Sequence, residues 1–402
     1  MTSGSSTRIR SVMLVHNSPR VGRYFSRLAS AISTPRIVRC RVSATIPCSA
    51  PPSGTIDEII DYGMRRKRAR RHYGPARLAT LRSIYAVAAR LHYGHIVSAI
   101  HRRKPDALGV WGGNAVDAKA VVVAARHAGL PCFRFENGFL PDTTQMDLRG
   151  VNAESSVPRD PEFYRARGRS DERLPDRIVA RKPHRTKRGL RPIGLPDRYV
   201  FVPFQVELDS QVLLHSPWIQ GMQQFFSVMT ESARRVGGPR LPLVFKEHPS
   251  CPARYVDLHD QAAGMDGVYF ANGNPTDELI RNALGVVTIN STVGTESLLL
   301  DKPVLALGDA VYEVPGVASS ARSEDEVVDW LGAVWAGTPP EAPIRRRFIH
   351  FLRDDHLIPD VHQHPGPAHI RAVEARLRAA DCLRSETATS TGELRKASRG
   401  PL

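Results

Sequence analysis

The chain is poor in cysteine. Five occur in 402 residues, Cys40, Cys48, Cys132, Cys251 and Cys382, odd in number and never in a CxxC pair. That pattern excludes a disulfide framework and a thiolate zinc site, and it suits a reducing cytoplasm. No segment approaches the ~20 apolar residues of a membrane-spanning helix. The opening MTSGSSTRIRSVMLVHN has too short an apolar run to read as a secretory leader. A Walker loop, GxGxxG and HExxH are all missing. A strand-terminal DxD is missing too, so neither an essential divalent metal nor a cofactor is expected. Acid is scarce as well: 40 Asp and Glu stand against 56 Lys and Arg, a formal charge of +16. Such an excess points to an anionic partner, whether nucleic acid, acidic lipid or a phosphorylated substrate, without choosing among them.

A chain of 402 residues suits two domains of ordinary size. SVMLV at 11–15 reads as a strand, and RYFSRLASAI after it as a helix. A long helical pattern covers 77–103. PDALGVW and PCFRF read as strands around the helix AKAVVVAARHAG. This alternation marks a parallel sheet. From Phe139 to about Arg191 the pattern fails in a polar, Pro-rich and basic stretch, read as a loop and an interdomain linker. Alternation resumes with RYVFVPFQ, a helix near Trp218–Val236, LPLVFKEHP, DELIRNALGVVTINST, GTESLLL and PVLALG. The expected fold is therefore α/β: two Rossmann-like domains, 1–190 and 191–383, facing a central cleft, with a disordered tail at 384–402. Ligands of open α/β sheets sit at the carboxyl ends of strands, and the polar motifs fall there.

In KEHP, His248 emerges where a strand stops. It is either a surface-loop histidine or a donor to a phosphate, with Lys246 beside it. Glu247 is expected to raise the His248 pKa and favour its charged form. NSTVGTES places Asn290, Ser291 and Thr292 at a helix N-terminus, which is either an ordinary cap or an anion site that Gly294 lets a phosphate approach. FQVELDSQ clusters Gln205, Asp209 and Gln211 past a buried strand; Asp209 is either an N-cap or a reactive carboxylate. FRFENGFLP puts Glu136 and Asn137 at a strand end, either in a turn or at the cleft, where the Glu136 carboxylate could exchange a proton with an acceptor hydroxyl and Asn137 could contact substrate. Asn114, in the loop WGGNAV, is a further substrate-contact candidate. The basic runs Met64–Arg71 and Arg181–Arg191 are not interleaved in sequence with aromatics as a nucleic-acid groove would be. They read as solvated faces or as docking sites for an anionic membrane.

Taken together, RFENGFLPDTTQMDLRGVNAESSVPRDPEFY, VPFQVELDSQVLLHSPW, VFKEHP and VVTINSTVGTESLLLDKPVLALGDAVYEVPGV resemble the capsule polysaccharide biosynthesis family of the KpsS/LipB type, over roughly residues 105–320. The resemblance implies a GT-B architecture and a retaining β-Kdo transferase that takes CMP-Kdo. The implied acceptor is a phosphatidylglycerol-type lipid or a Kdo linker on the cytoplasmic side of the inner membrane, among other capsule assembly proteins. Carried over by position, His248, Ser291 and Thr292 hold CMP, Glu136 is the acid/base and Asp209 the nucleophile. Other readings are a different donor (CMP-sialic acid or a UDP-sugar) and a non-catalytic assembly or export factor. Nucleic acid is not an expected partner, since no recognised binding motif is present.

Overall fold

The computed structural model describes residues 9–45, 51–70, 73–168, 173–176, 178, 184–236 and 241–379. Arg181 and the tail 384–402 lie outside that set. In chain order the strands are β1 Ser11–His16, β2 Arg36–Arg41, β3 Ala107–Trp111, β4 Cys132–Asn137, β5 Thr143–Asp147, β6 Val200–Pro203, β7 Leu243–Lys246, β8 Val268–Phe270, β9 Gly285–Thr288, β10 Val304–Ala306, β11 Ser319–Ser320 and β12 Ile358–Pro359. They form two six-stranded sheets, ordered β12-β5-β4-β3-β1-β2 and β11-β10-β9-β6-β7-β8. The second is parallel throughout. In the first, β4-β3-β1-β2 are parallel, β5 runs antiparallel to β4, and β12 pairs antiparallel to β5.

The central strands are apolar runs because helices cover both of their faces. On β1, Met13 and Val15 pack against the helices Thr55–Arg68, Pro75–Arg103 and Val116–His127. Val12 and Leu14 face the other way, toward Phe25 and Leu28. On β6, Val200 and Val202 enter one core and Tyr199 and Phe201 the opposite one. A further cluster joins Phe139, Leu140 and Tyr164 to Leu298, Tyr312 and Phe348, so apolar packing continues from one sheet's territory into the other's.

The range 191–383 expected for the second domain is corrected by the chain's return. β12 pairs with β5 in the first sheet, and Val373 and Leu377 of helix 367–379 complete the first core. The stretch expected to be irregular after Phe139 contains β5. Its polar residues disguised it: Thr144 and Gln145 are buried and hydrogen-bonded, Thr144 to the Asp360 carbonyl and Gln145 to Asn137 and Asn152. Asp147 is buried as well, accepting from the backbone of Arg149, Gly150 and Ser156. The run Met64–Arg71 lies largely on the helix Thr55–Arg68, whose last turn carries Arg65, Arg66, Lys67 and Arg68. Cations there meet the negative end of the helix dipole.

Candidate active site

Four strand ends meet between the sheets. β4 ends in Glu136 and Asn137. β6 leads through Gln205 to Asp209, β7 to His248, and β9 to Asn290, Ser291 and Thr292. Together with Gln211, these residues line one cavity of about 250 Å³.

Glu136 forms the first-domain wall. Burial pushes its carboxyl up to about 7, and the charge of Asp209 adds to that; hydrogen bonds from Asn137 and Trp111 oppose it. The Asn137 backbone N–H and side-chain amide both donate to Oε1, at 2.9 and 3.0 Å. Trp111, at the end of β3, is covered in turn by the His362 ring at 4.2 Å. His362 comes from the returning chain, and its burial lowers its pKa to about 4, so the ring is neutral near pH 7.

The second-domain wall is a lattice of buried amides. Gln205 Oε1 accepts from the Asn290 N–H at 3.0 Å, while its Nε2 donates to Asn290 Oδ1 at 2.9 Å. Asn290 Nδ2 donates to the carbonyls of Gln211 and His215 at 2.8 and 2.9 Å. Gln205 and Asn290 thus spend most of their capacity on each other and on the backbone. Ser291 caps the helix Thr292–Leu299, accepting from the Val293 N–H at 3.2 Å. Asp209 is exposed and caps the helix Ser210–His215 through the Gln211 N–H at 2.9 Å, while its carboxylate also faces the cavity. Both residues therefore cap helices and line the cavity.

Several expectations are corrected. Lys246 is buried and does not line the cavity; its Nζ donates to the carbonyls of Asn272 and Asn274 at 2.9 and 2.6 Å, bracing a neighbouring loop. Gly294 does not line the cavity either. A Cβ there would come within 2.2 Å of the Tyr312 hydroxyl, so the glycine makes room for Tyr312 and not for a phosphate. Asn114 also lies off the cavity. Glu247 is held by two partners. Its carboxylate meets Lys187 Nζ and His259 Nε2, both at 2.7 Å, and these bonds overcome the upward push of burial to hold its pKa near 2. Lys187 Nζ also donates to the His248 carbonyl at 3.0 Å. A residue of the basic linker thus lies buried beneath the KEHP loop, unavailable to any membrane.

The sequence reading missed Asn152, Thr295 and Tyr312, which line the cavity too. Asn152 holds φ +57°, a left-handed conformation that asparagine tolerates better than most residues. The Tyr312 hydroxyl donates to the Ser291 carbonyl at 2.9 Å and so fixes the turn that presents Ser291. Thr295 is fully buried, and its hydroxyl has no hydrogen-bond partner among the described residues. Gly294 is the one signal the sequence offered for the tyrosine.

The profile of the family described as "Capsule polysaccharide biosynthesis protein" matches residues 106–183 and 194–328, more than half of the chain. The chain belongs to that family. Among curated relatives, Protein FixF of Sinorhizobium fredii is 40% identical over 59% of this chain and 57% of its own length. The capsule polysaccharide export protein KpsS of Escherichia coli is 25% identical over 48% of this chain and 64% of its own. The chain therefore spans less than two thirds of the length of these family relatives. Among solved structures, the Thermosulfurimonas dismutans KpsC β-Kdo 2,7 transferase is similar with a TM-score of 0.48 at 13% identity, covering 92% of this chain and 99% of that one.

Proposed function

We propose that this member of the family is a glycosyltransferase that transfers Kdo, or a closely related acidic sugar, from its CMP-activated form to a lipid or glycolipid acceptor at the cytoplasmic face of the membrane. One observation carries the reading: a carboxyl with a pKa near 7 shares a single cavity with a strand-end histidine and a helix N-terminus. The first group can exchange a proton near neutral pH. The second pair can hold the phosphate of a departing nucleotide. Membership of a family that works in capsule polysaccharide biosynthesis agrees with this reading.

In the retaining course, an Asp209 carboxylate oxygen attacks the anomeric carbon as its bond to the CMP phosphate oxygen breaks. CMP leaves with the electron pair, facing His248 and the Ser291–Thr292 turn. Glu136 then takes the proton of the acceptor hydroxyl, whose oxygen displaces Asp209 from the anomeric carbon. Glycosidases that retain configuration divide the work between two carboxyl groups in the same way. The reaction as written needs no metal, so turnover should survive EDTA, and a strict Mg²⁺ or Mn²⁺ requirement would overturn that part.

The deciding experiment is a donor screen scored by nucleotide release, with CMP-Kdo, CMP-sialic acid and UDP-sugars offered in turn. CMP release from CMP-Kdo supports the proposal, and UDP release reassigns the donor. Release from none, with CMP still bound, would favour an assembly or export role, in keeping with the name of the Escherichia coli relative KpsS. Mass spectrometry of the protein with donor alone tests the nucleophile: a sugar adduct that persists in Asp209→Ala refutes its assignment.

A further inference from the structure

Between Tyr62 and Arg90 the sequence holds nine Lys or Arg and no Asp or Glu. Most of the described residues of this segment fall on two packed helices, Thr55–Arg68 and Pro75–Arg103. Arg65 and Arg82 pair with Asp61 and Asp57, which still leaves a large excess of positive charge. Lys67 Nζ lies 5.7 Å from the Tyr73 ring and 5.8 Å from Tyr85, and Arg77 stands 4.3 Å over Tyr73. The basic end of the first helix and the opening turns of the second thus form one surface. On that surface Ile84 and Val87, one turn apart, are 55% and 54% exposed. Two exposed aliphatic side chains amid an excess of cations offer a lipid headgroup layer both charge attraction and a small apolar contact. The first of the two helices also touches the loop that leads into the cavity lining. The Tyr62 hydroxyl donates to the Leu208 carbonyl at 3.2 Å, next to Asp209 in the opposite domain.

We propose that this face, from Arg66 through Val87, docks the protein on an anionic bilayer and holds the lip of the cleft at the lipid surface. The proposal deepens the lipid-acceptor reading above, on which it rests, by naming the surface that would deliver such an acceptor. Charge complementarity selects anionic lipid, and the aliphatic pair selects a bilayer over nucleic acid. The tyrosine rings do not favour nucleic acid, because cations of the chain already face them.

The test is sedimentation of the full chain with phosphatidylcholine vesicles, with and without phosphatidylglycerol. The expected result is binding only with phosphatidylglycerol, weakening as salt rises. Each basic residue near such a surface changes partitioning about fivefold. Neutralising Arg68, Arg77 and Arg90 together (R68Q/R77Q/R90Q) should therefore weaken binding roughly a hundredfold. Ile84→Ser with Val87→Ser should weaken it several-fold with charge unchanged. Thermal melts guard against misfolding. Transfer from CMP-Kdo to a water-soluble acceptor should be the same in native protein and variants. Native-like sedimentation of both variants, equal binding to neutral vesicles, or binding to oligonucleotides in place of vesicles would overturn the proposal. Failure of soluble transfer in the native protein, with vesicle binding intact, would sink the transferase reading instead.

Discussion

The two walls of the cleft are built on opposite plans. The second-domain wall is saturated but for the Thr295 hydroxyl: Gln205 and Asn290 exchange hydrogen bonds, and Lys187 Nζ and His259 Nε2 both meet the Glu247 carboxylate beneath His248. The first-domain wall is poised: Glu136 sits where burial opposes its charge. A satisfied buried network holds one geometry, whereas a carboxyl with a raised pKa is free to change protonation near neutral pH. In the proposed reaction one wall keeps its shape and the other moves the proton.

That contrast can be broken most severely at Glu136. Glu136→Gln should cost about 100- to 10,000-fold in turnover, as loss of a general base does, while CMP affinity measured by calorimetry stays within a few-fold. In the native protein, activity should rise with pH through about 7 and level off above it, because Glu136 accepts a proton only when ionised. Stability should move the other way. The folded pKa exceeds the unfolded one, so the contribution of Glu136 is fully present below the unfolded value and is lost as pH rises through about 7. Glu136→Gln should therefore melt higher than the native protein at pH 8, with the gap closing toward pH 5.

The saturated wall should fail through stability and binding. Lys187→Met leaves Glu247 buried without its ammonium partner and should cost about 3–5 kcal/mol in denaturant unfolding. Lys187→Met combined with Glu247→Leu should recover much of that loss while CMP affinity stays weakened, because the His248 carbonyl has lost its donor. Asn290→Ala strands the Gln205 amide and should cost about 1–3 kcal/mol. Ser291→Ala removes a helix cap and should cost about 1 kcal/mol. A larger fall in CMP affinity than in stability for Ser291→Ala would mark its hydroxyl as a ligand as well as a cap.

What the sequence disclosed follows from the same division. Strands buried on both faces, such as Val12–Val15 and Val200–Val202, announce themselves as apolar runs, and the polar residues after them mark the cleft. Glu136, Asp209, His248 and Ser291 were legible for that reason. Edge and polar strands were not. β2 mixes three arginines with three apolar residues, and β5 buries Thr144, Gln145 and Asp147 through hydrogen bonds that composition does not reveal. Lys246 and Lys187 look alike in sequence to any surface lysine, since burial is decided by distant carbonyl and carboxylate partners. Tyr312 and His362 reach the site only through the tertiary fold.

The chain passes between its two halves twice, once through the segment ahead of β6 and again on the way to β12. Two tethers leave a pair of bodies far fewer degrees of freedom than one. Of the relative rotations open to the halves, the one about the line joining the crossings strains the chain least. The apolar cluster of Phe139, Leu140 and Tyr164 with Leu298, Tyr312 and Phe348 bridges the halves as well. It contains Tyr312, which also lines the cavity. Any movement of one half against the other would therefore work against that cluster, and the shape of the site rests on one of the same side chains.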